Sequence, residues 1–190
     1  MGKLAVVFPG IGYHCDKPLL YYSKKIAKKC GYEIKEVPYG NFPDGVKGSP
    51  EKMQQAFFQA LEQTEEILKD VEFSQYESIL FLSKSVGTAV AAAYAEKKHL
   101  KTENVFYTPV EQSFAFMKQP GIVFHGTKDP WAETDMVIKK CKESQHPVYL
   151  TEDANHSLET GDVLKDLQNM HEIMSLTEQY IQGETNESFI

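Results

Sequence analysis

Three residues carry, in chain order, the side chains that nucleophilic acyl transfer requires: Ser85, Asp129 and His156. A serine hydroxyl attacks a carbonyl once a base takes its proton, and an imidazole serves as that base when a carboxylate fixes its tautomer. Ser85 sits in Ser83-Lys84-Ser85-Val86-Gly87, between an apolar run and an Ala-rich stretch. Small residues two before and two after it allow a strand and a helix to pass closely, which lifts the hydroxyl above a sheet. Asp129 lies in Gly126-Thr127-Lys128-Asp129-Pro130, directly after the apolar run Ile122 to Phe124, and His156 in Asp153-Ala154-Asn155-His156-Ser157. A fourth segment, Phe8-Pro9-Gly10-Ile11-Gly12-Tyr13, has glycines that permit a turn with N–H groups facing a cleft. The backbone N–H groups of Ile11 and Val86 are the expected donors to an oxyanion.

Each segment also has an ordinary structural reading. Ser85 is a good helix N-cap, Asp129 is an N-cap with Pro130 at the first helical position, and a loop histidine is commonly solvent-facing. The glycine segment is a common strand-to-helix turn. The ordered set, each member following a later strand, is more specific than any one of them.

The elements that must position these residues follow from hydrophobic period. Strands are expected at Leu4 to Phe8, Tyr32 to Val37, Ser78 to Leu82, Asn104 to Tyr107, Gly121 to His125 and Pro147 to Leu150. Near-continuous apolar runs such as Ile79-Leu80-Phe81-Leu82 read as parallel strands buried on both faces. Met53, Ala56, Phe57, Ala60, Leu61, Thr64, Ile67, Leu68 and Val71 recur at helical spacing behind a Ser49-Pro50 start signal. Further helices are expected from about Lys17 to Cys30, Val86 to His99, Trp131 to Lys142 and Leu158 to Ile181. Alternating β and α elements imply a doubly wound, mostly parallel six-stranded α/β sheet with helices on both faces and its site at the strands' C-terminal ends. Residues 1–182 are expected to form one domain and 183–190 a loose tail.

On these motifs the chain resembles the α/β-hydrolase superfamily, especially its small, lidless, dienelactone-hydrolase-like members, over nearly its whole length. Phe8-Pro9-Gly10-Ile11-Gly12 is similar to the family's oxyanion loop and Ser83-Lys84-Ser85-Val86-Gly87 to its nucleophile elbow. His125-Gly126-Thr127-Lys128-Asp129-Pro130 is similar to its acid turn, and Ala154-Asn155-His156-Ser157-Leu158 to its histidine loop. The resemblance implies a serine hydrolase, an esterase or thioesterase, with Ser85, Asp129 and His156 as its triad, no cofactor, and the strand order 2-1-3-4-5-6. Ser83 stands where the family has a glycine, and Pro9 where a histidine is common. The family's first two strands are absent, and only about Pro109 to Pro120 occupies the place of its lid.

Gly12, Tyr13, His14, Lys84, Phe114 and Trp131 are the expected pocket residues, with Phe116 and Met117 nearby; Lys84 is more naturally a solvated side chain, and the aromatics core. His14-Cys15-Asp16 cannot turn three consecutive side chains onto one metal ion. His171-Glu172 begins like a zinc-protease helix, but Ser175 stands where the second histidine belongs. The competing reading is a dinucleotide-binding domain, with Gly10-Ile11-Gly12 after the first strand and Glu36 at the end of the second, although Cys15 replaces its third glycine. A noncatalytic protein-binding module is the other alternative.

The 190 residues, 42% hydrophobic and 25% charged, suit one water-soluble domain, and a mean hydropathy of −0.40 with no long apolar run opposes a membrane span. A net charge of −7 and a pI near 5.4 oppose nucleic acid as partner. The three cysteines, Cys15, Cys30 and Cys141, lack disulfide or zinc spacing. The short run after Lys3 is too brief for a secretory signal, so a cytoplasmic protein acting on a small ester-like molecule is expected.

Overall fold

The computed structural model describes residues 2–46 and 48–184. Its strands are β1 (Gly2–Phe8), β2 (Tyr32–Glu36), β3 (Tyr76–Lys84), β4 (Glu103–Tyr107), β5 (Gly121–Gly126) and β6 (Val148–Thr151). They form one sheet, ordered β2-β1-β3-β4-β5-β6, in which every neighbouring pair is parallel. The helices are α1 (Pro18–Lys29), α2 (Pro50–Ile67), α3 (Val86–Lys97), α4 (Thr134–Ser144) and α5 (Val163–Ile181).

Strand alternation explains the layers. Ala5 and Val7 of β1, Leu80 and Leu82 of β3, and Val105 and Tyr107 of β4 pack with Leu19, Leu20 and Ala27 of α1 and Ile173 of α5. Leu4, Val6, Phe8 and Phe81 point the other way, into Val90, Ala91 and Tyr94 of α3 and Ala60 of α2. Phe106 and Val123 continue that second face against Ala92 of α3 and Val137 and Cys141 of α4. Both faces are covered, so the strands read as continuous rather than alternating apolar runs. The helix α3 carries this furthest, with every residue from Val86 to Ala95 buried.

The start signal of α2 operates as read: the Ser49 side chain accepts from the Lys52 N–H and Pro50 opens the helix. Two other helices begin later than the sequence suggests. The expected start of α4 at Pro130 or Trp131 is replaced by Thr134: the Asp129 carboxylate accepts from the Trp131 N–H at 2.9 Å as a cap would, but residues 130–132 make a turn and the helix opens only after Glu133. The expected start of α5 at Leu158 is replaced by Val163, capped by Asp162, whose side chain accepts from the Leu164 and Lys165 N–H groups. Leu158 has the apolar character of a helix position but a φ of 60°, and it enters the core from a loop. The expected tail falls largely on residues 185–190, which lie outside the described residues. Among the described residues no helix is long and apolar enough to cross a membrane.

Candidate active site

Ser85 occupies a one-residue joint between β3 and α3, with φ 56° and ψ −127°. That conformation costs a non-glycine residue about 1–3 kcal/mol and persists only where its surroundings over-determine it. The Ser85 N–H donates to the Tyr107 carbonyl of β4 at 3.0 Å, and the Thr88 N–H and hydroxyl both donate to the Ser85 carbonyl. Gly87 makes the joint sterically feasible: a Cβ there would stand 2.4 Å from the Pro9 carbonyl oxygen and 2.5 Å from that of Phe8. Ser83, at the position of the missing glycine, is fully buried and donates its hydroxyl to the Val105 carbonyl at 3.2 Å. A small polar side chain is thus accommodated by the strand pairing.

Asp129 follows β5 on a turn whose Asp129 N–H donates to the Gly126 carbonyl at 3.0 Å. Gly126 is required because a Cβ there would lie 2.4 Å from the Ala154 carbonyl oxygen, so this turn and the loop after β6 are in backbone contact. The Lys128 N–H donates to that same Ala154 oxygen at 2.9 Å. His156 rides on this loop, which Asn155 shapes by accepting from the N–H groups of Ser157 at 2.7 Å and Glu159 at 3.3 Å.

The three side chains converge. His156 Nε2 lies 2.8 Å from Ser85 Oγ, and His156 Nδ1 lies 2.7 Å from Asp129 Oδ2. The Asp129 side chain is completely buried, whereas that of His156 remains 20% exposed. The carboxylate is therefore shielded from water while the imidazole has access to it, a gradient that strengthens the Asp129 contact and leaves the serine reachable.

Beside this chain, Gly10 and Tyr13 exchange backbone hydrogen bonds of 3.0 and 3.1 Å, closing a tight turn with Ile11 and Gly12 at its corners. A Cβ on Gly10 would lie 3.1 Å from Ser85 Cβ, so this turn abuts the serine. The buried Tyr39 hydroxyl donates to the Pro9 carbonyl and fixes the loop's entry. Among the described residues no acceptor takes the N–H of Ile11, nor that of Val86, at the first position of α3.

The remaining expected pocket residues divide. Trp131 is 42% exposed, its ring centroid is 6.1 Å from that of His156, and with Glu111, Glu133 and Met136 it lines a cavity of about 160 Å³. A larger cavity of about 300 Å³, between the end of α3 and Phe116, contains none of the three converging residues. Phe114 packs against the core between β5 and α4, Met117 is buried in it, and Phe116 stacks on Phe57 at 5.7 Å. Gly12 and His14 are exposed on the turn, but Tyr13 points inward, its hydroxyl accepting from the Leu19 N–H at 3.1 Å and its phenol pushed by burial up to about 12.

Lys84 corrects the expectation of a solvated side chain. It is 1% exposed, with Nζ 4.9 Å from the Tyr13 ring centroid. Its position explains this: Lys84 is in phase with Leu80 and Leu82, which face α1 and α5. Cys15 is buried with its thiol pushed up to about 12, chiefly by burial, while His14 is exposed beside it. Glu36, the acid of the dinucleotide reading, is ion-paired with Lys24, which also holds Asp16 at 3.0 Å. The sheet order also differs from the 3-2-1-4-5-6 of dinucleotide-binding domains.

Two residues without an assigned role in the sequence complete the arrangement. Thr108 donates its hydroxyl to the His156 carbonyl at 3.1 Å, and Thr127 accepts the Asp153 N–H at 2.8 Å. Neither carries a sequence signal, since a threonine after a strand has many uses.

Solved structures share this architecture. A Xanthomonas campestris pv. campestris protein ascribed to the alpha/beta hydrolase superfamily matches with a TM-score of 0.70 at 12% identity, over 96% of this chain and 99% of that one. An alpha-beta serine hydrolase homologue from Coxiella burnetii matches with a TM-score of 0.68 at 14% identity, over 94% and 84%. A Pyrococcus furiosus esterase matches with a TM-score of 0.65 at 15% identity, over 95% and 83%. The chain has an α/β-hydrolase-like fold, with a six-stranded parallel sheet ordered 2-1-3-4-5-6. No family model matches its sequence, and no curated protein does.

Proposed function

We propose that this protein is a serine hydrolase that cleaves a carboxylic ester or thioester. The observation that carries the reading is the continuous chain from Ser85 Oγ through His156 to the buried Asp129, with contacts of 2.8 and 2.7 Å. Structural neighbours described as a serine hydrolase homologue and an esterase support it.

His156 Nε2 takes the Ser85 proton as Oγ forms a bond to the substrate carbonyl carbon, and Asp129 stabilises the imidazolium so formed. Negative charge moves to the carbonyl oxygen, where the Ile11 and Val86 N–H groups receive it. As the tetrahedral intermediate collapses, the bond to the alcohol or thiol breaks and His156 returns the proton to that leaving group. Water, deprotonated by His156, then attacks the acyl carbon; the bond to Oγ breaks, His156 returns the proton to Oγ, and the carboxylic acid leaves. The chemistry draws on no cofactor. Trp131 and its cavity suit a small substituent of the substrate, a soluble molecule met in the cytoplasm, and residues 1–182 act as one domain.

The test is labelling with a fluorophosphonate, read by intact mass. Native wild type is expected to gain one adduct, while Ser85→Ala and heat-denatured protein gain none; Ser85→Ala also loses about 10³-fold or more in ester turnover. A folded wild type that resists both the phosphonate and a smaller acylating reagent overturns the reading.

A further inference from the structure

A second imidazole stands beside Asp129, and the mechanism above leaves it unused. His125, near the end of β5, is fully buried. Its Nδ1 is 3.9 Å from Asp129 Oδ2, the same oxygen that holds His156, and has no hydrogen-bond partner among the described residues. Its Nε2 is 3.1 Å from Thr134 Oγ1, at the start of α4. A buried polar atom left unsatisfied costs about 1–3 kcal/mol, so its orientation toward a carboxylate calls for a reason.

The tautomer decides what that reason is. With the proton on Nε2, donation to Thr134 would leave the Nδ1 lone pair facing an anionic oxygen, a repulsive arrangement in a low-dielectric setting. With the proton on Nδ1, the N–H dipole faces the carboxylate, and Nε2 accepts from the Thr134 hydroxyl, which gives up only a long 3.4 Å contact to the Thr127 carbonyl. A cationic His125 is opposed by burial and by His156, against the pull of Asp129, and these hold its imidazole below the ordinary range. Asp129 thus accepts two N–H hydrogen bonds, from Trp131 on Oδ1 and from His156 on Oδ2, and His125 Nδ1 stands 3.9 Å from Oδ2, beyond hydrogen-bond distance but within electrostatic reach of it.

We infer that His125 is a positioning residue for the Asp129–His156 pair, acting as a neutral imidazole whose Nδ1–H faces the carboxylate and restrains its rotation. The inference rests on the triad reading above. Because His125 stays neutral, it steadies the carboxylate without adding a positive charge that would compete with the imidazolium forming on His156.

The test uses the full chain and three variants. The side-chain amide nitrogen of His125→Asn replaces Nδ1, that of His125→Gln replaces Nε2, and His125→Leu removes both. Two quantities are read: the rate of fluorophosphonate labelling of Ser85, and the low-field proton NMR resonance of the His156–Asp129 hydrogen bond. His125→Asn is expected to keep both, while His125→Gln keeps Thr134 contact yet slows labelling by about tenfold and shifts or broadens the resonance. His125→Leu is expected to match His125→Gln. Equal behaviour of the Asn and Gln variants, or a Gln variant superior to Asn, overturns the inference, and this comparison holds even if the Leu variant does not fold. A wild type that never labels refutes the triad reading instead, and the resonance, which needs only Asp129 and His156, then decides the inference alone.

Discussion

The two turns that bring Ser85 and His156 within 2.8 Å of each other are built on different physics. The Ser85 joint is one residue long and is fixed by contact: a positive φ, and a glycine two residues on whose backbone presses on the carbonyls at the end of β1. The His156 loop runs over residues 153–161 and, beyond its backbone contact with Gly126, is held by hydrogen bonds, through the Asn155 side chain, the Thr108 hydroxyl and the Asp166 carboxylate, which accepts from the Thr160 N–H at 2.6 Å. The Ser85 joint admits no added atom at Gly87, and its hydrogen bonds to Tyr107 and Thr88 add to that contact. A hydrogen-bonded loop can lose one bond and shift by a fraction of an ångström, so the alignment of the pair is set by its histidine side.

The largest effect that would break this contrast is on the steric side. Gly87→Ala places a Cβ 2.4 Å from the Pro9 oxygen, against backbone that cannot rotate away. It is expected to cost about 3 kcal/mol in urea unfolding, despite the better helix propensity of alanine. A loss under about 0.5 kcal/mol would show that the joint is not sterically fixed.

The next effect concerns acid. His125 and the buried His146, whose Nε2 lies 2.9 Å from the Gln119 carbonyl, are both held below the ordinary imidazole value of 6.5, chiefly by burial. The unfolded chain therefore binds more protons than the native one once the pH drops below 6.5. The stability these groups confer is complete above that pH and declines as pH falls through it toward the folded values, by at most about 1.4 kcal/mol per pH unit for each imidazole. Both lie in the β5–α4–β6 half, so hydrogen exchange at about pH 5.5 is expected to deprotect that half before β1 and β3. Uniform loss of protection would erase the distinction between the two sides.

The smallest effect sharpens it. Asn155→Ala removes acceptors from the Ser157 and Glu159 N–H groups of an exposed loop. It is expected to cost about 1 kcal/mol or less in stability while slowing Ser85 labelling about fivefold, because the imidazole is displaced more than the fold is weakened. Unaltered labelling in a folded Asn155→Ala protein would place the restraint on His156 elsewhere, as at the Thr108 hydroxyl that donates to its carbonyl.

Much of this was legible in the sequence, for reasons that differ by element. The strands were readable because a sheet covered on both faces needs unbroken apolar runs, Ser85 because its strand-end turn requires small neighbours, and Asp129 because it directly follows the apolar run Ile122 to Phe124. The onset of α5 was not, since Leu158 has helical phase but serves the core from a left-handed loop position. Lys84 is hidden from such a reading because charge suggests solvent, although its spacing from Leu80 and Leu82 points it inward. His125 is in phase with Val123 and so belongs beneath α4, but its approach to Asp129 depends on how far a turn folds back, which no local pattern encodes.

The sheet also tapers. Its central strand β3 has nine residues, while the marginal strands β2 and β6 have only five and four. A parallel sheet of this kind leaves a row of unsatisfied amides and carbonyls along each margin, and such a row recruits further strands in proportion to its length. Here each margin is short, five residues in β2 and four in β6, so each offers only a brief template for a further strand to extend.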